Sequence, residues 1–445
     1  MLGFARQRRT FRHGIHPPES KNDTRDLPIR QFPFAPVMIV PLLQHLGAPA
    51  TPVVREGQEV QRGQLLAEPD GFMSVAMHAP ASGTVQRIGL APSINGKMVP
   101  AIYLKPFPGS SQEVVGGDPC DLDLATTDNI LSAIQWAGIV GLGGAAFPTH
   151  VKLKIPDDKH VDTLIINGVE CEPYLTTDHR VMLEQQADIF TGIRYLMKVT
   201  GAGKTIIGIE ANKVEVAESL RAQVPAGDPV TVEVVEVKYP QGAEKMLITA
   251  LLDREVPSGG LPSDVDVVVV NVATTAEIGR LLPAGRGIQE RVITIGGPAI
   301  AKRGNYRIPI GTPLRFALEY AGMAQDVSRV FLGGPMMGQA LPSLDIPITK
   351  GTSGFIAFSD QQTRAPAEFP CIHCGYCVDA CPLFLNPSQL GLLAKKERFD
   401  EMVDDYHLMD CFECGSCSYV CPAHIPLVQR FRGAKAMARK LGAGS

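Results

Sequence analysis

Apolar residues run almost unbroken through four stretches in the middle of the chain: DTLIINGVECEP (162–173), TIIGIEA (205–211), VTVEVVEV (230–237) and DVDVVVVNVATT (264–275). Runs of Val and Ile with polar ends predict strands covered on both faces. Apolar positions at helical spacing lie between and beside them, over 180–198, 214–223, 243–253 and 276–282. This alternation predicts an α/β layer with parallel strands, whose ligands bind beyond the carboxyl ends of the strands. Those ends carry Asn167, Glu170 and Glu172 after one strand, and Asn271 and Thr274 after another. The carboxylate pair is placed either to hydrogen-bond ribose or nicotinamide groups or to face solvent in a loop.

The flanks differ. Residues 35–105 read as short strands separated by turns, and 292–350 follow a strand–turn–strand–helix order. A helical pattern over 129–137 leads into GLGGAAFP, and PSQLGLLAKKERFDEMVDDYHLM is long enough for two helices. From 429 to 440 the chain places Arg430, Arg432, Lys435, Arg439 and Lys440 with no acid. On a helix they form a basic face, for a partner, for an anionic membrane or simply for water. The longest apolar run, 265–273, is interrupted by Asp266 and Asn271, and none approaches the roughly 18 residues of a membrane span. The opening MLGFARQRRTFRHG is basic without a following apolar stretch, so it does not read as a secretory signal. A soluble, cytoplasmic protein is expected.

Composition narrows this further. The 445 residues suggest about three domains. With 42 Lys+Arg against 46 Asp+Glu the net charge is −4, too near neutral for a general nucleic-acid binder. At 45% hydrophobic and 20% charged the chain is no disordered polymer, and 44 glycines with 36 prolines favour turn-rich layers over long helical bundles.

Eight of the ten cysteines fall between 371 and 421. Cys371, Cys374, Cys377 and Cys381 follow C-x2-C-x2-C-x3-C with Pro382 next; Cys411, Cys414, Cys417 and Cys421 repeat it with Pro422. This is the bacterial two-cluster pattern for [4Fe–4S] centres, in which the fourth cysteine of each run serves the other cluster. One cluster is therefore assigned Cys371, Cys374, Cys377 and Cys421, and the other Cys411, Cys414, Cys417 and Cys381. Zinc ribbons pair two C-x2-C units across a longer gap, which this spacing does not suit. Gly375 and Gly415 would let backbone approach sulfide, His373 and His424 read as neighbours rather than ligands, and Cys120 and Cys171 as inert thiols.

Gly141, Gly143 and Gly144 would let amides close round a phosphate or flavin, with Lys152 as counter-charge. On spacing alone a helix cap and turn serves equally well, because Ala146 stands where a dinucleotide fingerprint has its third glycine. GAGKT at 201–205 is no phosphate loop: Lys198 occupies the position of the required first glycine.

The residues resemble known families. GLGGAAFPTHVKL is similar to the G-R-G-G-A-G-F-P-T-G-L-K signature of the flavin- and NADH-binding subunit of respiratory complex I. NGVECEP, GAEKMLITALLDREVP and NVATT resemble its N-A-D-E-S-E-P, G-E-E-T-A-L-L-N-S-L-E-G and N-V-E-T segments, in the same order. The resemblance implies that Gly141, Gly143, Gly144, Lys152 and Asn167 hold non-covalent FMN, with Asn271 and Thr274 on its far side. It implies that Glu170, Glu172 and Glu244 face NADH and that Phe147 lies near the nicotinamide or adenine stack. Leu142, Ala146, Ala243 and Ala273 depart from the signature, replacing Arg, Gly, Glu and Glu.

From FRHGIHPPE (11–19) to the second cysteine motif, the chain more closely resembles the C subunits of Rnf-type ion-translocating electron-transport complexes. That likeness includes PLLQHLGAPATPVVREGQEVQRGQLLAEPDGF and YPQGAEKMLI. Residues 35–105 resemble a biotinyl/lipoyl barrel-sandwich within an N-terminal region 1–125, without a carrier lysine at the turn 73–77. Residues 126–290 are expected to form a Rossmann-like FMN/NADH α/β domain. Residues 291–358 would form a β-grasp (soluble ligand-binding) module packing between flavin and clusters, and 359–445 an α-helical two-[4Fe–4S] ferredoxin-like domain. The class is multidomain α/β plus α+β.

The implied activity is NADH oxidation through FMN and two clusters. The implied partners are the other Rnf subunits, including a ferredoxin-like one, with peripheral contact at the cytoplasmic face of the bacterial inner membrane. Two alternatives stand beside it: a cobalamin reductase of the microcompartment type, and an electron-conducting adaptor with an empty nucleotide site.

Overall fold

The computed structural model describes residues 9–364 and 366–442. The first eight residues of the basic opening therefore lie outside it. Among the described residues no helix is long and apolar enough to cross a membrane.

The four apolar runs form one all-parallel sheet, in the spatial order 230–235, 204–210, 163–168, 267–271. Three strands are laid down outward in sequence, and the fourth returns to the other side of the first. The sheet thus has a switch point between Thr163–Gly168 and Val267–Asn271, where Asn167 and Asn271 are register partners at the carboxyl ends. A crevice opens at such a reversal because the connections leave in opposite directions.

The strands are shorter than their apolar runs for identifiable reasons. Asp266 adopts a left-handed conformation (φ 59°) just before the last strand. Asn271 ends it by capping the helix Val272–Leu281, its Oδ1 accepting from the amides of Ala273 and Thr274. The helix expected over 180–198 is two, Thr177–Glu184 and Gln186–Thr200, because Gln185 leaves helical geometry between them.

Ahead of this layer, two antiparallel sheets of four and three strands face each other over Val40, Leu66, Val85 and Leu104. This is the barrel-sandwich. Its core continues through Ile130 and Ile134 of the helix Thr127–Trp136 into the parallel layer. Behind it, a mixed six-stranded sheet carries Glu290–Gly296 antiparallel to Gly304–Pro309 and parallel to Gly354–Ser359, with the helix Leu314–Tyr320 packed in its core.

Residues 9–34 have no periodicity and form a strap. Ile15 exchanges both backbone hydrogen bonds with Tyr239, and Arg30–Gln31 adds an edge strand beside Gly304–Pro309.

The cysteine region is helical. Between its two loops stand the expected two helices, Pro387–Lys395 and Phe399–Asp404. The basic tail is the helix Leu427–Leu441, but its charges are largely committed. Arg430 pairs with Glu368, while Arg432 and the buried Lys435 both pair with Glu413.

Candidate redox-cofactor sites

The glycine loop lies at the sheet's switch point, against Asn271 and Thr274. Its ends are tied by Gly141 N–H donating to the Phe147 carbonyl (2.8 Å) and by a bridge between Val140 and Pro148. Leu142 is buried; its amide donates to Thr274 Oγ1 (2.9 Å) and its carbonyl accepts from the buried Arg291 guanidinium (3.1 Å). A Cβ on Gly143 would come within 2.6 Å of Asn271 Nδ2, whereas one on Gly144 would meet no protein atom within 4 Å. Gly143, Gly144 and Ala145 are exposed, and among the described residues no protein acceptor takes their amides. Consecutive unpaired N–H groups form an anion-binding concavity. Ala146 holds φ +52°, a left-handed conformation that a glycine adopts without strain.

Asn271 joins the loop to the rest of the site, its Nδ2 donating to Asp178 Oδ2 (2.7 Å). Burial, and then the neighbouring Glu170 charge, push the Asp178 carboxyl up to about 7. Asn167 fastens two loops, its Nδ2 donating to the Gly242 carbonyl (2.9 Å) and its Oδ1 accepting from the Val169 amide (3.0 Å). Lys152 and Glu244, expected on FMN and NADH respectively, pair with each other at 2.7 Å, each about one-third exposed. Phe147 is half-buried in the loop.

The two central glutamates are held by protein donors. Glu170 is buried, accepts from the amides of Asp178 and His179 and lies 3.9 Å from Lys21 Nζ, so it anchors the strap and a helix start. Glu172 accepts from the amides of Met336 (3.1 Å) and Met337 (2.6 Å), and burial raises its carboxyl above the usual range. Lys21, Asp178, Tyr239 and the 333–338 turn therefore belong to the site's framework. They reach it from distant parts of the chain, and no local pattern marks them.

In the helical module Cys371, Cys374, Cys377 and Cys421 line a single open recess, together with Gly375 and His373. Cys417 lies near Cys414, Cys411 and Cys381, and also near Cys377 of the first motif. Gly375 and Gly415 sit at φ +83° and +82°, which turns each cysteine loop back on itself without a Cβ penalty. Burial raises the Cys411 thiol to about 11 and that of Cys417 further, so holding iron as thiolates would release protons. The donor set fits two cubanes.

Comparison with known proteins agrees with this geometry. Residues 9–106 match the RnfC barrel sandwich hybrid domain, 134–280 the Nuo51 FMN-binding domain and 370–425 a 4Fe-4S dicluster domain. The chain is 43% identical to the C subunit of the proton-translocating ferredoxin:NAD(+) oxidoreductase complex of Clostridium ljungdahlii, over 98% of this chain and 95% of that protein. It is 40% identical to the Na(+)-translocating counterpart of Acetobacterium woodii, over 96% of each. The C subunit of an ion-translocating oxidoreductase complex of Haemophilus influenzae is 40% identical over 96% of this chain, which spans 64% of that longer relative. Three successive modules matched in order, with near full-length identity at this level, show that the chain belongs to the family of C subunits of Rnf-type ion-translocating complexes.

Proposed function

We propose that this chain is the electron-input subunit of a membrane-bound NADH:ferredoxin-type oxidoreductase, accepting hydride from NADH and passing single electrons to partner subunits. The observation that carries this reading is the pairing, in one chain, of an unsatisfied amide loop at a parallel-sheet switch point with two four-thiol sets. FMN supplies the step between two-electron hydride and one-electron iron, and cofactors carry the hard chemistry.

The chain's own residues bind and orient. The amides of Gly143, Gly144 and Ala145 would take the FMN phosphate or ring edge, and Lys152 its negative charge once released from Glu244. Asn167, Asn271 and Thr274 would form the floor, and Phe147 would lie beside a bound ring. Hydride transfer itself demands no side-chain acid or base. Glu170 and Glu172 support the site by holding the strap and the 333–338 turn.

The boundaries 1–125, 126–290, 291–358 and 359–445 divide the chain accordingly, with the mixed six-stranded sheet as a β-grasp module beside the clusters. We infer that the subunit sits peripherally on the cytoplasmic face of the bacterial inner membrane, near a ferredoxin-like subunit, a reading supported by its family.

One observation favours a second reading, the conducting adaptor: Glu170, Glu172 and Glu244 all have protein partners. Optical and EPR spectra of anaerobically purified protein, before and after NADH, decide between the two. The first reading expects flavin absorbance bleached by NADH and about eight irons per chain; the adaptor expects iron without a response to NADH.

A further inference from the structure

The two cysteine motifs have one spacing but unlike surroundings. Tyr239 Oη donates to the Cys414 carbonyl at 2.6 Å. Tyr239 begins the turn whose Gly242 carbonyl holds Asn167, on the floor of the flavin crevice. Tyr239, Cys171, Met336, Ala380 and Cys414 share one apolar cluster. Gly415 approaches the Met336 carbonyl so closely that a Cβ would lie 3.0 Å from it, and Met336 is one of the two amides on Glu172. Ser258 and Gly259 bind Asp410, next to Cys411. The second motif is thus fastened to the flavin layer along its length.

In the first motif Cys377 and Cys381 are buried, but the turn around Cys374 faces outward. Cys374 is exposed, and its neighbours Ile372 and Tyr376 are 67% and 58% exposed.

We infer that the second-motif cluster, held by Cys411, Cys414, Cys417 and Cys381, receives electrons from the flavin, and that the first-motif cluster is the outlet. This rests on the reading of the chain as an NADH-oxidising subunit. In that direction NADH is oxidised to NAD⁺ and H⁺, and its two electrons pass one at a time through the second-motif cluster to the first. They then reduce two equivalents of a one-electron iron–sulfur carrier. Each transfer reduces a cluster by one electron as its donor is oxidised by one.

The order makes the clusters unequal to substitution. Serine replaces a soft thiolate by a harder oxygen and changes the potential of the cluster it serves. Purified Cys414→Ser and Cys374→Ser proteins are mixed with NADH and freeze-quenched, and the unaltered cluster is followed by its wild-type EPR signal. In Cys414→Ser, reduction of the first-motif cluster is expected to slow by about tenfold or more, equivalent to over 1.4 kcal/mol of barrier. In Cys374→Ser, reduction of the second-motif cluster keeps its wild-type rate. Should Cys414→Ser lose its cluster altogether, the first-motif cluster is expected to be reducible by dithionite but not by NADH. An undiminished rate for the first-motif cluster in Cys414→Ser, or slowing of the second in Cys374→Ser, overturns the order. If NADH reduces neither cluster in the wild type, it is the parent reading that fails.

Discussion

The flavin crevice and the cysteine module both hold anionic groups, and they do so with opposite parts of the chain. The crevice offers backbone: three exposed amides on a loop whose shape depends on the absence of Cβ atoms and on Asn271 beneath it. The module offers side chains, with eight thiols arranged by local spacing around small helices. Backbone sites tolerate changes of side chain but not of shape, whereas thiolate sites tolerate changes of shape but not of ligand. Leu142, Ala243 and Ala273 illustrate the first half: all three depart from the related signature, while the loop still rests on Thr274 and Asn271.

The largest expected effect tests the second half. Cys417 is buried in the module's core with Leu408 and Phe431. Cys417→Ala should remove a ligand and strand the remaining thiols, halving iron content. It should also lower the thermal midpoint of the helical module, because metal binding free energy is folding free energy. Iron and sulfide analysis with circular dichroism melting checks this; full iron with an unchanged melt would show that a thiol can be spared.

A pair of glycine substitutions sharpens the first half. Gly143→Ala drives a methyl to within 2.6 Å of Asn271 Nδ2 and should cost about 1–3 kcal/mol of stability as well as FMN affinity. Gly144→Ala meets nothing in the protein, so its stability should stay within about 0.5 kcal/mol. Its FMN affinity should nonetheless fall by about tenfold or more, a loss of over 1.4 kcal/mol. Denaturant unfolding and fluorescence titration with FMN separate the two, and equal behaviour would mean that the loop's open side does not face the ligand.

Lys350 connects the regions and gives a pH test. Its buried ammonium donates to the carbonyls of Ala76 (2.6 Å) and Gly138 (2.8 Å), joining barrel, glycine-loop segment and mixed sheet without a carboxylate. Burial lowers its pKa to about 7. Between about 7 and 10.5 the unfolded chain binds the extra proton, so this group makes stability rise with pH across that window, by up to a few kcal/mol. Lys350→Met should flatten the rise seen in urea midpoints from pH 7 to 9.5. An unchanged slope would show that the lysine is hydrated.

Legibility in the sequence follows the same division. The cysteine spacing carried its own geometry, since every ligand of one loop lies within a few residues of the next. The Val and Ile runs likewise marked the parallel strands. The strap at 9–31 has no periodicity because it is held by single long-range contacts, such as Ile15 with Tyr239 and Lys21 with Glu170. Glu172 is well placed for a nucleotide when read along the chain, yet the amides that bind it lie more than 160 residues away. Gln185 splits a helix whose apolar periodicity runs straight through it.

The smallest effect concerns the one loop residue whose backbone is strained. Ala146 occupies φ +52°, and its Cβ lies 2.8 Å from where a Cβ on Gly351 would be. Ala146→Gly removes the left-handed penalty, about 1 kcal/mol, but adds similar conformational freedom to the unfolded chain. The two nearly cancel, so the melting temperature should move by no more than about 2–4 °C in either direction. The consequence for the crevice is larger than for the fold, because a loop that relies on shape gains freedom to close on its ligand. FMN affinity in Ala146→Gly should match or exceed that of the wild type, measured by the same fluorescence titration. A clear loss would mean that the alanine methyl, which faces Gly351, itself holds the amides in their binding arrangement.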